Sequence, residues 1–363
     1  MRVARLRVRV ERGSLLWVSG PARVSVIEGS LYASGVRVEK GSEMLVQAGR
    51  GASLYAVDED ATVELVEGSG ASHRVERDEE AMRTAVEWLR LVDSIAETRP
   101  RLVAVLGPVE SGKSTLSLWL ANRLGGCYAS LDPGQNELGT PCYYSAAPIE
   151  GTALSTKDLR PRWAWLVGCN APEQCPWESV SAAAALASYT RRACSTTVVD
   201  TDGFVSGPGL AYKTSILETL EPDATIVMER GPARQLARLA RLYSGSVYTA
   251  PATPERLVRS RSRRDRRVYR ERMYQALFAN AEKVRLDAAR TPLAPPVEPG
   301  KLPPGLLASL VAPEGYEIPA LIERASSNVI EARVAWGASS GVRGVRLGST
   351  RLVEWREERV RLL

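Results

Sequence analysis

Residues 102–115, LVAVLGPVESGKST, constrain this chain more than any other stretch. An apolar run leads straight into G-x-x-x-x-G-K-[ST], and STLSLWLANRLG continues from it with the character of a helix. A buried strand, a tight loop and a helix in that order give the pattern its meaning. Gly107 and Gly112 let the backbone curl, so that the N–H groups of Glu110, Ser111, Gly112 and Lys113 converge on a polyphosphate. The helix start adds partial positive charge. Lys113 is placed to reach the β- and γ-phosphates, Ser114 to ligate Mg²⁺, and Thr115 to touch the α-phosphate. The chain is therefore expected to bind a nucleoside triphosphate. The loop alone does not name the reaction, since switches, motors and kinases all carry one.

The surroundings fit an α/β fold. CYASLD, STTVVD (195–200) and ATIVME (224–229) read as further buried strands separated by helical segments, which implies a parallel sheet flanked by helices. Ahead of it, residues 1–75 alternate apolar and polar positions in short bursts broken by Gly and Asp, the pattern of a small β-sandwich or barrel. Residues 76–99 change to a helical period through Met82, Val86, Leu89 and Val92. The catalytic unit is expected over 100–286. The proline-rich run TPLAPPVEPGKLPPG reads as a linker, and 287–363 as that linker plus a small β-rich domain.

Two acidic stretches stand where such a sheet presents its carboxyl edge. In SLDPGQNELGTP (130–141), Asp132 follows a strand. It is placed to hold Mg²⁺ through water, to take a proton from an attacking hydroxyl, or simply to cap a Pro-Gly turn. Gln135 is near enough to orient water or metal. In VVDTDGFVSGPG (198–209), Asp200 ends an apolar strand and is a candidate metal ligand. Phe204 suits either a base-stacking platform or the core.

Nine arginines and two acids crowd RLVRSRSRRDRRVYRER (256–272), a balance of +7. The whole chain of 363 residues carries +6, so the remainder sums to about −1. Arg259, Arg263, Arg266, Arg267 and Arg270 share one helical face, where like charges repel by a few tenths of a kcal/mol each. An anionic ligand would offset that repulsion, and a lid closing over a transferred phosphoryl is one such device. A solitary histidine, His73, argues against a Ser-His or Cys-His centre and leaves proton transfer to a carboxylate. The five cysteines form no CxxC pair, so free thiols are expected. No apolar run suggests a membrane span or signal segment, and a cytoplasmic protein is expected.

These motifs, in this order, resemble the polynucleotide 5′-hydroxyl-kinase family. It includes the kinase-like subunit of the mRNA 3′-end cleavage complex, archaeal RNA kinases and pre-rRNA-processing kinases. GPxxxGKST matches 107–115. The family's D-x-D-x-G-Q followed by P-G-T is similar to 130–140, with Asp132, Gly134, Gln135 and Thr140 in place and Ser130 where the first acid stands. Its [ND]-T-x-G-[WF]-x-x-G-x-G is met by Asp200, Thr201, Gly203, Phe204, Gly207 and Gly209, and its lid R-x-x-x-R by three registers, 259/263, 263/267 and 266/270, of which Arg263 with Arg267 is the pair chosen.

The resemblance implies a P-loop kinase domain between a β-rich N-terminal domain that helps enclose adenine and a small C-terminal domain. It implies transfer of the γ-phosphate of ATP, with Mg²⁺, to the 5′-hydroxyl of single-stranded RNA or DNA. Lys113, Asp132, Arg263 and Arg267 would act on the reacting groups, with Ser114, Asp132 and Asp200 at the metal. Gln135, Thr201, Phe204, Arg259, Arg266 and Arg270 would grip substrate, and RNA-processing proteins would be partners. Two other readings remain: a catalytically idle ATP-binding scaffold, kept open by Ser130, and a switch-type P-loop ATPase.

Overall fold

The structure is a computed structural model describing residues 5–257, 262–336 and 341–362. The N-terminal alternation folds as two antiparallel sheets. One runs Arg5–Val10, Ala61–Glu67, Ala22–Glu28, Glu43–Val46, and the other Val36–Glu39, Ser30–Ala33, Gly51–Tyr55, Leu15–Ser19, Ser72–Glu76. Val24, Val26, Val63 and Leu65 from the first sheet and Leu16, Val18, Leu31 and Leu54 from the second form one buried core, so this is a sandwich. Asp78 then caps the helix Glu79–Thr98 by accepting the Ala81 N–H at 2.9 Å. Its buried stripe passes through Met82, Ala85, Trp88, Leu89 and Val92. Val86 lies at the margin, and Trp88 takes the place expected for it.

Five parallel strands make the central sheet, in the order Ser246–Ala250, Ala224–Met228, Leu102–Leu106, Thr197–Thr201, Cys127–Leu131. Leu102–Leu106 is buried at every position, as a middle strand covered by helices on both faces must be. Tyr143–Pro148 and Trp163–Leu166 extend the sheet antiparallel. A single pairing, Ala164 with Glu317, carries it on into the C-terminal strands Glu317–Ala325, Leu306–Val311 and Gly344–Val353. The proline-rich run does not hang free. Leu293–Ala294 pairs beside Gly344–Val353, and Leu302 is buried in the C-terminal core with Leu306, Ile318 and Val345.

The cysteines depart from the expectation of free thiols. Disulfides join Cys127 to Cys194 and Cys169 to Cys175, and Cys142 is buried and free. The first staples the start of Cys127–Leu131 to the end of the helix Pro176–Ala193. Among the described residues no helix is long and apolar enough to cross a membrane.

Candidate active site

The loop between Leu102–Leu106 and the helix Lys113–Leu124 needs its glycines. Gly112 has φ +96°, and a Cβ there would stand 2.9 Å from the Trp88 ring, while one on Gly107 would stand 2.8 Å from Met228. Glu110 adopts φ +61°. Lys113 is buried and donates to the Pro108 carbonyl at 2.6 Å, and the Ser111 hydroxyl donates to the same oxygen at 2.9 Å. Desolvation lowers the Lys113 pKa, partly countered by the charges of Asp200 and Asp132. Ser114 and Thr115 are exposed at the helix start.

Asp132 and Asp200 stand at the carboxyl ends of neighbouring parallel strands. One Asp132 oxygen accepts the Gly134 and Gln135 N–H groups, each at 2.9 Å. Asp132 thus caps the Pro-Gly turn through one oxygen. Burial and the nearby Asp202 charge raise the Asp132 pKa. Asp200 accepts the Tyr128 hydroxyl at 2.9 Å on one oxygen, while the other is buried without a hydrogen-bond partner. Burial pushes its pKa up to about 6, against the pull of the Lys113 ammonium. An anionic oxygen left unsatisfied in such a place fits a cation.

The acid that follows plays a different part. Asp202 forms a buried ion pair with Lys213, 2.7 Å away, and accepts the Phe204 N–H at 2.8 Å. The Thr201 hydroxyl donates to the Val105 carbonyl at 2.8 Å, so it ties two strands together and does not face the loop. The Phe204 ring is half-buried, 6.0 Å from the Tyr212 ring.

The arginine-rich helix spans Arg263–Phe278, opened by a capping box between Ser262 and Asp265. Arg259 lies outside the described residues. Arg266 approaches Glu110 of the phosphate loop, 3.9 Å between Nη2 and Oε1, and its Nε is buried without a partner. The Arg270 Nε–H donates to both carboxylate oxygens of Glu357, at 2.8 and 3.0 Å. Glu357 also accepts the Tyr274 hydroxyl and the Asn170 amide, so Arg270 anchors the helix and does not face the phosphate loop. Arg263 and Arg267 are exposed and make no ion pair among the described residues.

Three features escaped the sequence. Arg230 clamps the phosphate loop, donating to the carbonyls of Glu110 at 2.6 Å and Thr253 at 2.7 Å. The Lys213–Asp202 pair buttresses the acidic corner. A cavity of about 290 Å³ lies beside Thr115, walled by Trp17, Tyr55, Trp88 and Trp119 from the sandwich and two helices. Arg230, a cation just past a parallel strand, left the one usable signal.

Residues 107–280 match the family model for the P-loop of the mRNA cleavage and polyadenylation factor CLP1. The polyribonucleotide 5′-hydroxyl-kinase of Pyrococcus horikoshii is 28% identical over 191 residues, 51% of this chain and 52% of that one. That of Methanocaldococcus jannaschii is 26% identical over 189 residues, again 51% and 52%. The chain thus spans about half the length of the curated relatives it matches. The solved wild-type Clp1p–Pcf11p complex aligns with a TM-score of 0.64 over 96% of this chain and 98% of that chain, at 15% identity, a likeness of fold.

Proposed function

We propose, because residues 107–280 match the CLP1 P-loop family model, that the chain is a polynucleotide kinase, moving the γ-phosphate of ATP to the 5′-hydroxyl of RNA. The observation that carries this reading is the pair Asp132 and Asp200 on adjacent strand ends, both electrostatically coupled to Lys113. In the reaction the Asp132 oxygen left free by the turn takes the 5′-hydroxyl proton as the O5′–P bond forms. The bond from the γ-phosphorus to the bridging oxygen breaks, and ADP leaves. The raised Asp132 pKa suits that acceptance.

Lys113 exchanges its Pro108 carbonyl for the β- and γ-phosphates. Arg263 and Arg267, free of ion pairs among the described residues, turn toward the moving phosphoryl. The aromatic cavity beside Thr115 receives the adenine. The Ser114 hydroxyl and the unpaired Asp200 oxygen would hold Mg²⁺, which when bound neutralises charge on the β- and γ-phosphates. Gln135 and Phe204 border the acceptor nucleotide. A solved relative is complexed with Pcf11p, which supports a protein partner for this chain as well.

The test mixes the protein with γ-labelled ATP and 5′-hydroxyl oligoribonucleotides, with the DNA counterpart alongside. Labelled RNA is expected, and none with Lys113→Ala. No label with the unaltered protein ends the kinase reading, while full activity in Asp132→Asn ends only the choice of base. The scaffold reading is favoured by Ser130, which sits buried in register with Asp200 where the family's first acid stands. It predicts ATP binding without label transfer in the same assay.

A further inference from the structure

A second basic surface lies outside the arginine-rich helix. The helix Ala233–Ala240 buries Leu236, Ala237 and Ala240 on one face. The spacing i, i+4, i+7 sets Arg234, Arg238 and Arg241 on the opposite side. With Arg230 these three line a groove of about 930 Å³, in which Glu229 is the one acid. All three are exposed, and among the described residues none of their side chains makes a hydrogen bond or ion pair. Arg9 and Arg123, also exposed, are by contrast paired with acids, while Arg263 and Arg267 share the unpaired state of the groove arginines. Unscreened like charges one turn apart destabilise a helix, so a ligand of opposite sign would offset a standing repulsion.

The groove continues from the phosphate loop. Arg230 at its head donates to the Glu110 carbonyl, and a Cβ on Gly231 would stand 3.5 Å from the Pro108 ring. We infer that it is a track for the phosphodiester backbone of the acceptor strand beyond its 5′-terminal nucleotides. The inference rests on the kinase reading. A flexible polyanion fits the stripe because cations recur along the helix at about 6 and 4.5 Å of rise. An acidic protein surface fits less well, since no aromatic residue in the lining offers the anchor such interfaces are built around.

Fluorescence anisotropy with labelled 5′-hydroxyl RNAs of three and fifteen nucleotides tests this, comparing the unaltered chain with Arg234→Gln/Arg238→Gln/Arg241→Gln. These residues hold no part of the proposed catalytic site, and an unchanged thermal midpoint checks the fold. The trimer should bind equally to both proteins. The fifteen-mer should bind more weakly to the variant, with a log–log salt slope shallower by about 2, from three phosphates at about 0.7 each. Between 50 and 200 mM salt the unaltered protein should then lose about 18-fold more affinity than the variant.

Equal slopes and equal fifteen-mer affinities overturn the track, and they are what a groove for an acidic protein would give. A parallel loss for the trimer overturns it too, by placing the cations at the strand end. Binding needs no turnover, so the two readings fail separately. A slope lost in the variant with no phosphate transferred sinks the kinase alone, and transfer with unaltered slopes sinks the track alone.

Discussion

Replacing Asp200 with Asn should make the nucleotide-free protein more stable at neutral pH while removing phosphoryl transfer. Asp200 is 4% exposed, and burial lifts its pKa from 3.8 to about 6. The rise, 6 − 3.8, at about 1.36 kcal/mol per pKa unit, makes the charged form cost the fold about 3 kcal/mol. The folded value lies above the unfolded one. The penalty is therefore absent below about pH 4, grows from there to pH 6, and is complete above.

The amide keeps an oxygen for the Tyr128 hydroxyl, but its buried NH₂ lacks an acceptor, a loss of about 1–2 kcal/mol. The variant should therefore gain about 1–2 kcal/mol at pH 7.5 and become the weaker protein at pH 4, where only the amide's loss remains. Urea unfolding at the two pH values, without nucleotide or Mg²⁺, measures both. A variant less stable at pH 7.5, or two stability curves that never cross, would refute the reasoning. MgATP should raise the midpoint of the unaltered protein more than that of the variant.

Cys194→Ser should lower stability by about 4 kcal/mol in urea, since the Cys127–Cys194 bond closes a chain separation of 67 residues, and reductant should then have little further effect. Glu357→Ala strands the Arg270 guanidinium and should cost about 3 kcal/mol. It should also lower kcat with little change in the KM for ATP, and Glu357→Gln should recover part of the loss. Trp17→Ala should raise the KM for ATP about tenfold at unchanged kcat, the effect of removing one stacking surface.

What the sequence disclosed was local. Residues 102–115 carry their own geometry, because a fully buried strand and two glycines in constrained positions leave the loop few alternatives. Asp132 and Asp200 followed from it, as acids at the ends of buried strands. The start of the arginine-rich helix was not read from the sequence, although Ser262 with Asp265 forms a capping box that sets its first turn at Arg263. Hidden were the contacts that need the finished fold. Lys213 meets Asp202 only after the helix Pro208–Leu220 has packed back on the sheet. Glu357 finds Arg270 across 87 residues, and nothing near either names the other. The aromatic cavity beside Thr115 draws walls from the sandwich and from two helices, so no single window of sequence contains it.

Those distant contacts hold the arginine block at two places. Arg256 is paired with Asp78 and Glu80 at the head of the helix Glu79–Thr98. Arg270 and the buried Tyr274 and Phe278 fix the other end against the C-terminal strands. Between these anchors, Arg266 approaches Glu110 of the phosphate loop at 3.9 Å, one of the contacts of Glu110, with both side chains 32% exposed. A pair so long and so wet contributes about 0–1 kcal/mol. Exchanging it for a triphosphate therefore costs little, whereas letting go of Glu357 would strand a half-buried charge. The helix should thus pivot about its C-terminal half on nucleotide binding, with Arg263 and Arg267 on the arm that travels.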